Sequence, residues 1–546
     1  MEKSSFGPWP LILVTAAASV GAVTLWLLEP RVGRLWLNTA CLAAAACLIA
    51  LPIGGFAATM IHKTDVPGRK IAGLILIGML FVPLYLIAGA WDAGFGIQGW
   101  HTLATNPHLA HEPWLRGWRA AIWVHGLAAV PWVVLIVGAG LRAVEAEIEE
   151  DAATCATPAR VLLHVSLRRA APAFAMAGVW IAVGTAAEIS VTDFFQVRTF
   201  SEEVYTQAAL GSFDAGGGQA LSAGGLWIGL LLSTALAVVA IAAAGRWFTR
   251  FVDAPHRAPW IARIGRSRWL AAFVLWSIML LAAGVPLGNL VYKAGVQVVA
   301  SLRDAKASLG EIGPRGPVRS WSAAKVIERL AAAPAEFRGD LWLSIRIGLT
   351  AASAALAIAI PLAWSMRSSR GAPWLRLAVL ATCLTIPGPL LGVGLIHLMN
   401  RPADSPLSFL AWLYDTNFAP WLVQTIRALP VATLILWPAL ASVPQVMLDT
   451  AATEGSGSLG RLLRIALPQR WPAAGAAWLV ALAIAIGELA ATVLVIPPQQ
   501  STAISVRIFQ LLHYGVDDRV AAISLVIVAG IAVLTWISAS LLKHKA

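Results

Sequence analysis

The chain has 546 residues, of which 58% are hydrophobic and only 12% are charged, and its formal net charge is +12. Soluble domains carry roughly 25% charged residues, so this composition excludes an ordinary soluble enzyme and is typical of an integral membrane protein. The Lys and Arg residues are spread between apolar runs rather than gathered in one patch, so no nucleic-acid partner is expected.

Twelve apolar runs follow one another along the chain. Most reach the roughly 20 residues that a helix needs to cross the hydrocarbon core of a bilayer. Because backbone polar groups in lipid must be paired within their own segment, the runs predict membrane-spanning helices. The runs are Trp9–Leu28, Leu37–Met60, Ile71–Ala90, Trp118–Gly138, Pro172–Ala187, Gly225–Ala244, Leu270–Leu290, Leu343–Ala363, Trp374–Leu398, Leu422–Ala441, Pro472–Pro497 and Ala521–Leu542. We expect the fifth run, which is short, to extend towards Phe195.

The distribution of basic residues predicts the orientation. We take the first run as an uncleaved span, because only Lys3 precedes it and Glu29-Pro30-Arg31 is not a small-residue cleavage site. With the N-terminus inside, the inner loops hold more than twice as many Lys and Arg residues as the short outer loops. The long segment Tyr292–Asp340 is predicted to be external and does not enter this comparison. Both termini are therefore expected on the cytoplasmic side of the membrane.

The four cysteines indicate neither a disulfide framework nor a thiolate metal site. Three of them lie within predicted spans and none is in a C-x-x-C arrangement. They are Cys41, Cys47, Cys155 and Cys383.

The two halves of the chain resemble each other at an offset of 300 residues. Pro172 and Glu188 then align with Pro472 and Glu488, and polar and proline matches at one offset are less easily obtained by chance than leucine matches. The predicted organisation is a first repeat in residues 1–250, a basic cytoplasmic linker in residues 251–268, and a second repeat in residues 269–546 with an external loop at 292–340. Each repeat has an even number of spans, so the copies are expected to be parallel.

The most informative motif lies between the tenth and eleventh runs. Asp449-Thr450-Ala451-Ala452-Thr453-Glu454-Gly455 is followed, after nine residues, by Ile465-Ala466-Leu467-Pro468. This pattern resembles the loop through which permeases of ABC importers couple to their ATP-hydrolysing subunits, except that Asp449 and Thr450 replace Glu and Ala. We expect Gly455 to supply a positive φ between two short helices, Asp449 to sit at a helix N-terminus, and Pro468 to begin the next helix.

A weaker copy of this motif occurs in the first half. Glu149-Glu150-Asp151-Ala152-Ala153-Thr154-Cys155 leads to Val165-Ser166-Leu167-Arg168, with Cys155 in place of the glycine and Arg168 in place of the proline. The run of acids around Glu149 and Glu150 is expected to form a solvated helix face. Whether both loops couple equally is left open.

A second resemblance concerns the family. His62–Lys70, Pro83-Leu84-Tyr85 and Ala90-Trp91 are similar to the first half of the ferric-iron type permeases, which are single chains with two permease domains. The resemblance implies a type I ABC importer fold with two six-helix repeats, two copies of a separate ABC ATPase and an external substrate-binding protein. It favours ferric iron as substrate, and thiamine or another small solute is the alternative within the class. The sequence has no G-x-x-x-x-G-K-[ST] loop, so ATP hydrolysis is assigned to the partners and this chain is expected to be no enzyme and to bind no cofactor.

Other functions are compatible with parts of the sequence. A secondary transporter of the major facilitator type also has six plus six spans, and Asp65-x-x-Gly68-Arg69-Lys70 is similar to its loop signature. A membrane enzyme would need a polar cluster and a channel would need a filter motif, and the sequence shows neither.

Ionisable residues within spans are costly, so Glu188, Thr192, Glu488 and Thr492 are candidates for the translocation path, with interhelical hydrogen bonding as the alternative.

Overall fold

The computed structural model describes residues 30–105, 112–210, 259–299, 318–367, 373–402, 404–497 and 501–543. These residues are mostly helical. The strands among them are β1 (Val296–Val299) and β2 (Val318–Trp321), which pair antiparallel with Val296 opposite Trp321.

The helices fall on either side of this hairpin. Those before it are α1 (Pro30–Lys63), α2 (Arg69–Met79), α3 (Leu84–Phe95), α4 (Trp100–Thr105), α5 (Gly117–Ala128), α6 (Val130–Arg142), α7 (Ala146–Cys155), α8 (Pro158–Arg169), α9 (Ala171–Ala187), α10 (Ser190–Phe194), α11 (Phe200–Ala209) and α12 (Ser267–Gly295). Those after it are α13 (Ala323–Glu336), α14 (Arg338–Ser365), α15 (Pro373–Thr385), α16 (Gly388–Met399), α17 (Phe409–Tyr414), α18 (Phe418–Ala441), α19 (Gln445–Thr453), α20 (Ser458–Gln469), α21 (Trp471–Gly487), α22 (Thr492–Val495), α23 (Ile504–Leu512) and α24 (Asp518–Lys543).

Six of the helical segments are long and apolar enough to cross a membrane: α1, α5 continued by α6, α12, α14, α18 and α24. Four more pass the same test as bent pairs, formed by α2 with α3 and α4, α8 with α9, the second part of α15 (Ala378–Thr385) with α16, and α20 with α21. The described residues therefore hold six helical segments that could span a membrane, or up to ten if each bent pair is one span, and they indicate a multi-pass membrane protein. The first and sixth predicted runs, Trp9–Leu28 and Gly225–Ala244, lie outside the described residues.

The expectation that the fifth run continues as a helix towards Phe195 is wrong. Helix α9 ends at Ala187, Glu188 has an extended backbone, and the separate helix α10 begins at Ser190. The eleventh run breaks in the same way, because Glu488 is also extended and α22 begins at Thr492.

The third and ninth runs break as well. The chain bends by 108° at Pro83 and by 102° at Pro387. Proline removes a backbone donor and cannot continue a helix without strain, which explains both breaks.

The same series of elements occurs in both halves. A π-helical turn interrupts α8 at Leu162–Ser166 and α20 at Leu462–Ala466, which are 300 residues apart. In each half a sharp bend then leads into a 17-residue helix, the break at the glutamate and a final short helix.

The two halves interlock. Helix α2 packs on α24, and the Trp536 Nε1 group donates a hydrogen bond of 2.7 Å to the Leu74 carbonyl. The largest buried cluster joins Tyr85 and Trp91 of the first half to Ile508 and Phe509 of the second. Residues from both halves therefore form one common core.

The bundle has two distinct ends. Helices α1, α6 and α24 finish at the same end, which we call the loop end because α7–α8 follows there directly. Residues 259–268 dock at this end, where Ala262 N donates to the Lys63 carbonyl at 2.8 Å. The β-hairpin and α13 lie at the opposite end, where Lys325 and Arg329 form ion pairs with Asp518.

Candidate functional site

Each of the two predicted coupling loops forms short helices that lie outside the bundle at the loop end. In the second loop, Asp449, Thr450 and Ala451 lie on α19, Ile465 lies in the π-helical turn, and Leu467 and Pro468 lie at the end of α20. In the first loop, Glu149, Glu150 and Cys155 lie on α7, Val165 in the π-helical turn, and Leu167 just after it. Each loop is therefore a pair of short helices.

The turn of the second loop depends on Gly455. Its φ is +85°, Gly455 N donates to Ala452 O at 3.0 Å, and Ser456 N donates to Ala451 O at 2.9 Å. This is the Schellman arrangement that ends helices at a residue of positive φ, so the predicted role of Gly455 in the turn is confirmed. The first loop uses a different turn, in which Ala156 is extended and Pro158 opens α8.

Two geometric expectations for this loop are wrong. Asp449 is the fifth residue of α19 and not at its N-terminus, because α19 begins at Gln445 directly after Pro444. Pro468 does not begin the next helix. It lies near the end of α20, and α21 begins at Trp471 after a bend of 83°.

The second loop exposes apolar side chains. Val446, Met447, Leu459 and Leu463 have relative exposures of 76%, 45%, 67% and 50%. Because the loop leaves the apolar bundle among charged residues, this surface is the kind that a protein partner covers.

Glu149 does not belong to a solvated face, contrary to expectation. Its carboxylate is fully buried, 2.5 Å from Lys63 Nζ, and it accepts a second hydrogen bond of 2.6 Å from Ser166 Oγ. Asp449 is exposed by comparison, and the buried residue on its helix is Leu448. The two acids that the sequence aligns therefore lie in different environments, and the first loop is fastened to α1 through an ion pair.

The second loop is held at its base through Arg367. Its guanidinium donates to the carbonyls of Leu440 and Val443 at 2.6 Å and to Gln445 Oε1 at 3.0 Å. Gln445 in turn donates to Asp449 Oδ1 at 2.8 Å. Arg367 thus caps the C-terminus of α18, where a cation is favoured, and leaves the Asp449 side chain near the surface.

Glu188 and Glu488 share one local role at the helix breaks. Glu188 accepts hydrogen bonds from Ser190 N at 2.6 Å and Val191 N at 3.1 Å. Glu488 accepts from Ala491 N at 2.9 Å and Thr492 N at 3.0 Å, and the Thr492 hydroxyl also donates to it. Each carboxylate therefore satisfies backbone donors that the break exposes, which is why the chain turns there.

The breaks at the prolines and at the glutamates lie next to each other. A Cβ added to Gly487 would lie 2.7 Å from Pro83 Cγ, and one added to Gly388 would clash with Ala490. The break after Glu488 therefore lies close to both proline breaks, to Pro387 within the second half and to Pro83 across the two halves.

Buried polar groups line this junction. His125 Nε2 is 3.7 Å from Glu188 Oε2, and Arg427 interacts electrostatically with Glu488. Irregular backbone at membrane depth is tolerated where protein or a water-filled cavity covers it, so this junction is the candidate path.

Thr192 and Thr492 are fully buried at these breaks. Thr192 Oγ1 donates to the Ile189 carbonyl, whereas Thr492 Oγ1 donates to Glu488. The two threonines therefore stabilise local backbone in different ways.

The opposite end carries an acidic group formed by Asp193 and Glu202, of which the sequence analysis did not predict Glu202. Asp193 pairs with His513 of the second half at 3.0 Å, and this hydrogen bond raises the pKa of His513 although burial opposes it. Burial raises the pKa of Glu202 to about 7, and its Oε2 atom has no hydrogen-bond partner among the described residues. Thr199 and Glu202 have the spacing of a helix N-terminal capping box. This pattern was the sequence signal that could have predicted a helix beginning here.

No family model, no curated protein and no solved structure matches the chain. Within the described residues, no three His, Cys, Asp or Glu side chains are placed to hold a metal ion. The function is therefore argued from the loops and the helix breaks.

Proposed function

We propose that this chain is the permease of a binding-protein-dependent ABC importer, with two parallel repeats of six spans fused in one chain. It would lie in a bacterial inner membrane with both termini in the cytoplasm. Two copies of a separate ABC ATPase would bind at the loop end, and an external binding protein would deliver the substrate at the opposite end. The observation that carries the proposal is the pair of helical loops, one of which exposes Val446, Met447 and Leu459 beside the Gly455 turn.

The recurrence of the elements supports the duplicated organisation. The π-helical turns, the 17-residue helices and the glutamate breaks follow in the same order in both halves. A duplicated membrane unit with a path at its interface is a common plan for transporters.

In the proposed mechanism, ATP binding draws the two ATPases together. The α7–α8 and α19–α20 loops would follow as rigid units, because the Lys63–Glu149 ion pair fixes the base of the first and the hydrogen bonds of Arg367 fix the base of the second. Their movement would be transmitted through the bends into α9 and α21 to the glutamate breaks, which would open on alternate sides.

Ferric iron is the proposed substrate, on the resemblance of His62–Lys70 and the Pro83 segment to ferric-iron type permeases. Thiamine or another small solute is the alternative in the same class, since selectivity resides mainly in the binding protein.

The coupling function can be tested by substituting two glycines of one turn. Gly455→Asp places a side chain at a φ of +85°, whereas Gly457→Asp adds the same charge at a φ of −67°. We expect Gly455→Asp to lose co-purification of an ATPase and transport-coupled hydrolysis at least tenfold, and Gly457→Asp to retain both. The measurement is affinity purification of the tagged full-length chain, followed by mass spectrometry and ATPase assay.

Equal behaviour of the two variants would contradict the coupling role of this turn. Uptake that persists without ATP and follows a proton gradient would instead support a secondary transporter of the major facilitator type.

A further inference from the structure

A cavity of about 700 Å³ opens at the loop end on the side of the bundle where the halves meet. It is bounded by the ends of α1, α6 and α24, by the start of α2 and by residues of the docked linker, Pro259 and Ile261. It is separate from the coupling loops and from the helix breaks.

The rim of this cavity is basic. Four cationic side chains from three helices reach it, Arg69, Lys70, Arg142 and Lys543, and His62 of α1 lies beside them. None of the described residues that line it is Asp or Glu, and no described carboxylate forms an ion pair with Arg69, Lys70, Arg142 or Lys543. Like charges drawn together by the fold without a counter-charge repel one another, so an anion in the cavity would be strongly favoured.

The wall below the rim is apolar. Leu74 and Ile77 lie on α2, Leu80 follows directly after it, and Leu135 of α6 lines the same wall. Leu74 and Leu135 are 47% and 43% exposed, at positions where a membrane would surround the helices. A soluble anion would match the rim but leave this wall uncovered.

We infer that the cavity binds the phosphate headgroup of an anionic phospholipid from the adjacent leaflet, with an acyl chain against the wall formed by Leu74, Ile77 and Leu135. Basic pockets between membrane helices recognise anionic headgroups in this way. The phosphate would contact α1, α2 and α6 of the first half and Lys543 of the second.

The occupied site would strengthen the seam between the halves. At that seam the protein itself supplies the Trp536–Leu74 hydrogen bond, and Trp536 packs 3.0 Å from the Cβ position of Gly78. A bound lipid would therefore raise the stability of the whole chain. This inference requires that lipid surrounds these helices, and it does not require that the chain is an importer.

The test uses the purified full-length chain, delipidated in detergent. Phosphatidylglycerol, phosphatidylcholine, glycerol phosphate and inorganic phosphate are added separately, and binding is followed by native mass spectrometry and thermal unfolding. We expect one retained phosphatidylglycerol per chain and a rise in melting temperature of several degrees, with at least fivefold weaker effects of phosphatidylcholine. Stabilisation by glycerol phosphate or inorganic phosphate equal to that by phosphatidylglycerol would overturn the lipid assignment.

Two variants and one control locate the site. Arg142→Gln with Lys70→Gln removes two rim charges, and Leu135→Trp fills the wall without changing charge. Arg263→Gln with Arg266→Gln removes two exposed charges from the nearby linker, which are not among the described lining residues. We expect at least fivefold weaker phosphatidylglycerol binding in both site variants and unchanged binding in the control. Equal loss in the control, or undiminished binding in Leu135→Trp, would overturn the proposal.

Discussion

Lys63 and Glu149 form an ion pair at a place where neither side chain contacts solvent. A buried pair of this kind stabilises little compared with apolar residues, but either partner left without the other is costly. In the second loop, the buried residue of α19 is Leu448 rather than an acid. The fold therefore accepts an apolar side chain on the buried face of a coupling-loop helix.

We therefore predict that Lys63→Met destabilises the chain by about 3–5 kcal/mol, since it leaves the Glu149 carboxylate buried without a counter-charge. The double variant Lys63→Met with Glu149→Leu should recover most of this loss. Thermal unfolding in detergent measures both. A double variant as unstable as Lys63→Met would show that the pair has a role beyond mutual neutralisation.

The Asp193–His513 pair predicts a dependence on pH. The pKa of His513 is raised in the folded chain by its hydrogen bond to Asp193, with burial acting against it. The contribution of the pair to stability is therefore fully present below the unfolded pKa of about 6.5 and is lost as the pH rises through the folded pKa. Both groups are partly exposed, so we expect at most about 1 kcal/mol.

The measurement is the melting temperature from pH 5.5 to 9 in the wild type, Asp193→Asn, His513→Gln and the double variant. The stabilisation lost in Asp193→Asn should be largest at low pH and should vanish at high pH. On the His513→Gln background the Asp193 substitution should have no pH-dependent effect. A pH-dependent effect that persists there would assign the titration to another group.

At the scale of the elements, the close contact between α16 and the break after Glu488 predicts different effects of two glycine substitutions. A Cβ on Gly388 would clash with Ala490 Cβ and lie 2.8 Å from Ala490 C, whereas a Cβ on Gly394 has nothing within 4 Å. Gly388→Ala should cost about 1–3 kcal/mol through overpacking. Gly394→Ala, on the same helix, should be neutral or stabilise by up to about 1 kcal/mol.

Chemical unfolding and transport assays of the two variants check this difference. Equal stability of the two variants would show that the backbone around Ala490 can move enough to accept a Cβ on Gly388.

Some elements follow from local chemistry and others do not. The turn at Gly455 could be predicted because glycine adopts positive φ without strain. The bends at Pro83 and Pro387 were not predicted, although proline within an apolar run is a local signal for them. The break at Glu188 has no such signal, because a glutamate is compatible with a continuing helix until its carboxylate captures donors of the next segment. The burial of Glu149 depends on Lys63, which is 86 residues away in the sequence.

At the scale of the whole molecule, the C-terminal ends of α1, α6 and α24 lie at the same end of the bundle. Lys543 at the end of α24 lines the same cavity as Arg142 at the end of α6, so the C-terminal region and the loop that follows Arg142 lie on one side. Tyr514 lies before α24 begins, and this helix of 26 residues is about 39 Å long. We therefore expect Tyr514 to lie on the other side of a bilayer from Lys543.

This arrangement gives a test of orientation with a native residue. Cys155 is exposed on the loop end, and Tyr514 is 85% exposed at the opposite end. In a chain that lacks the other three cysteines, Cys155 should react with a membrane-impermeant maleimide in urea-washed inside-out vesicles and not in intact spheroplasts. With Tyr514→Cys and Cys155→Ser the accessibility should reverse. Because basic loops are retained in the cytoplasm, labelling of Cys155 from outside would contradict both the orientation and an ATPase at the loop end.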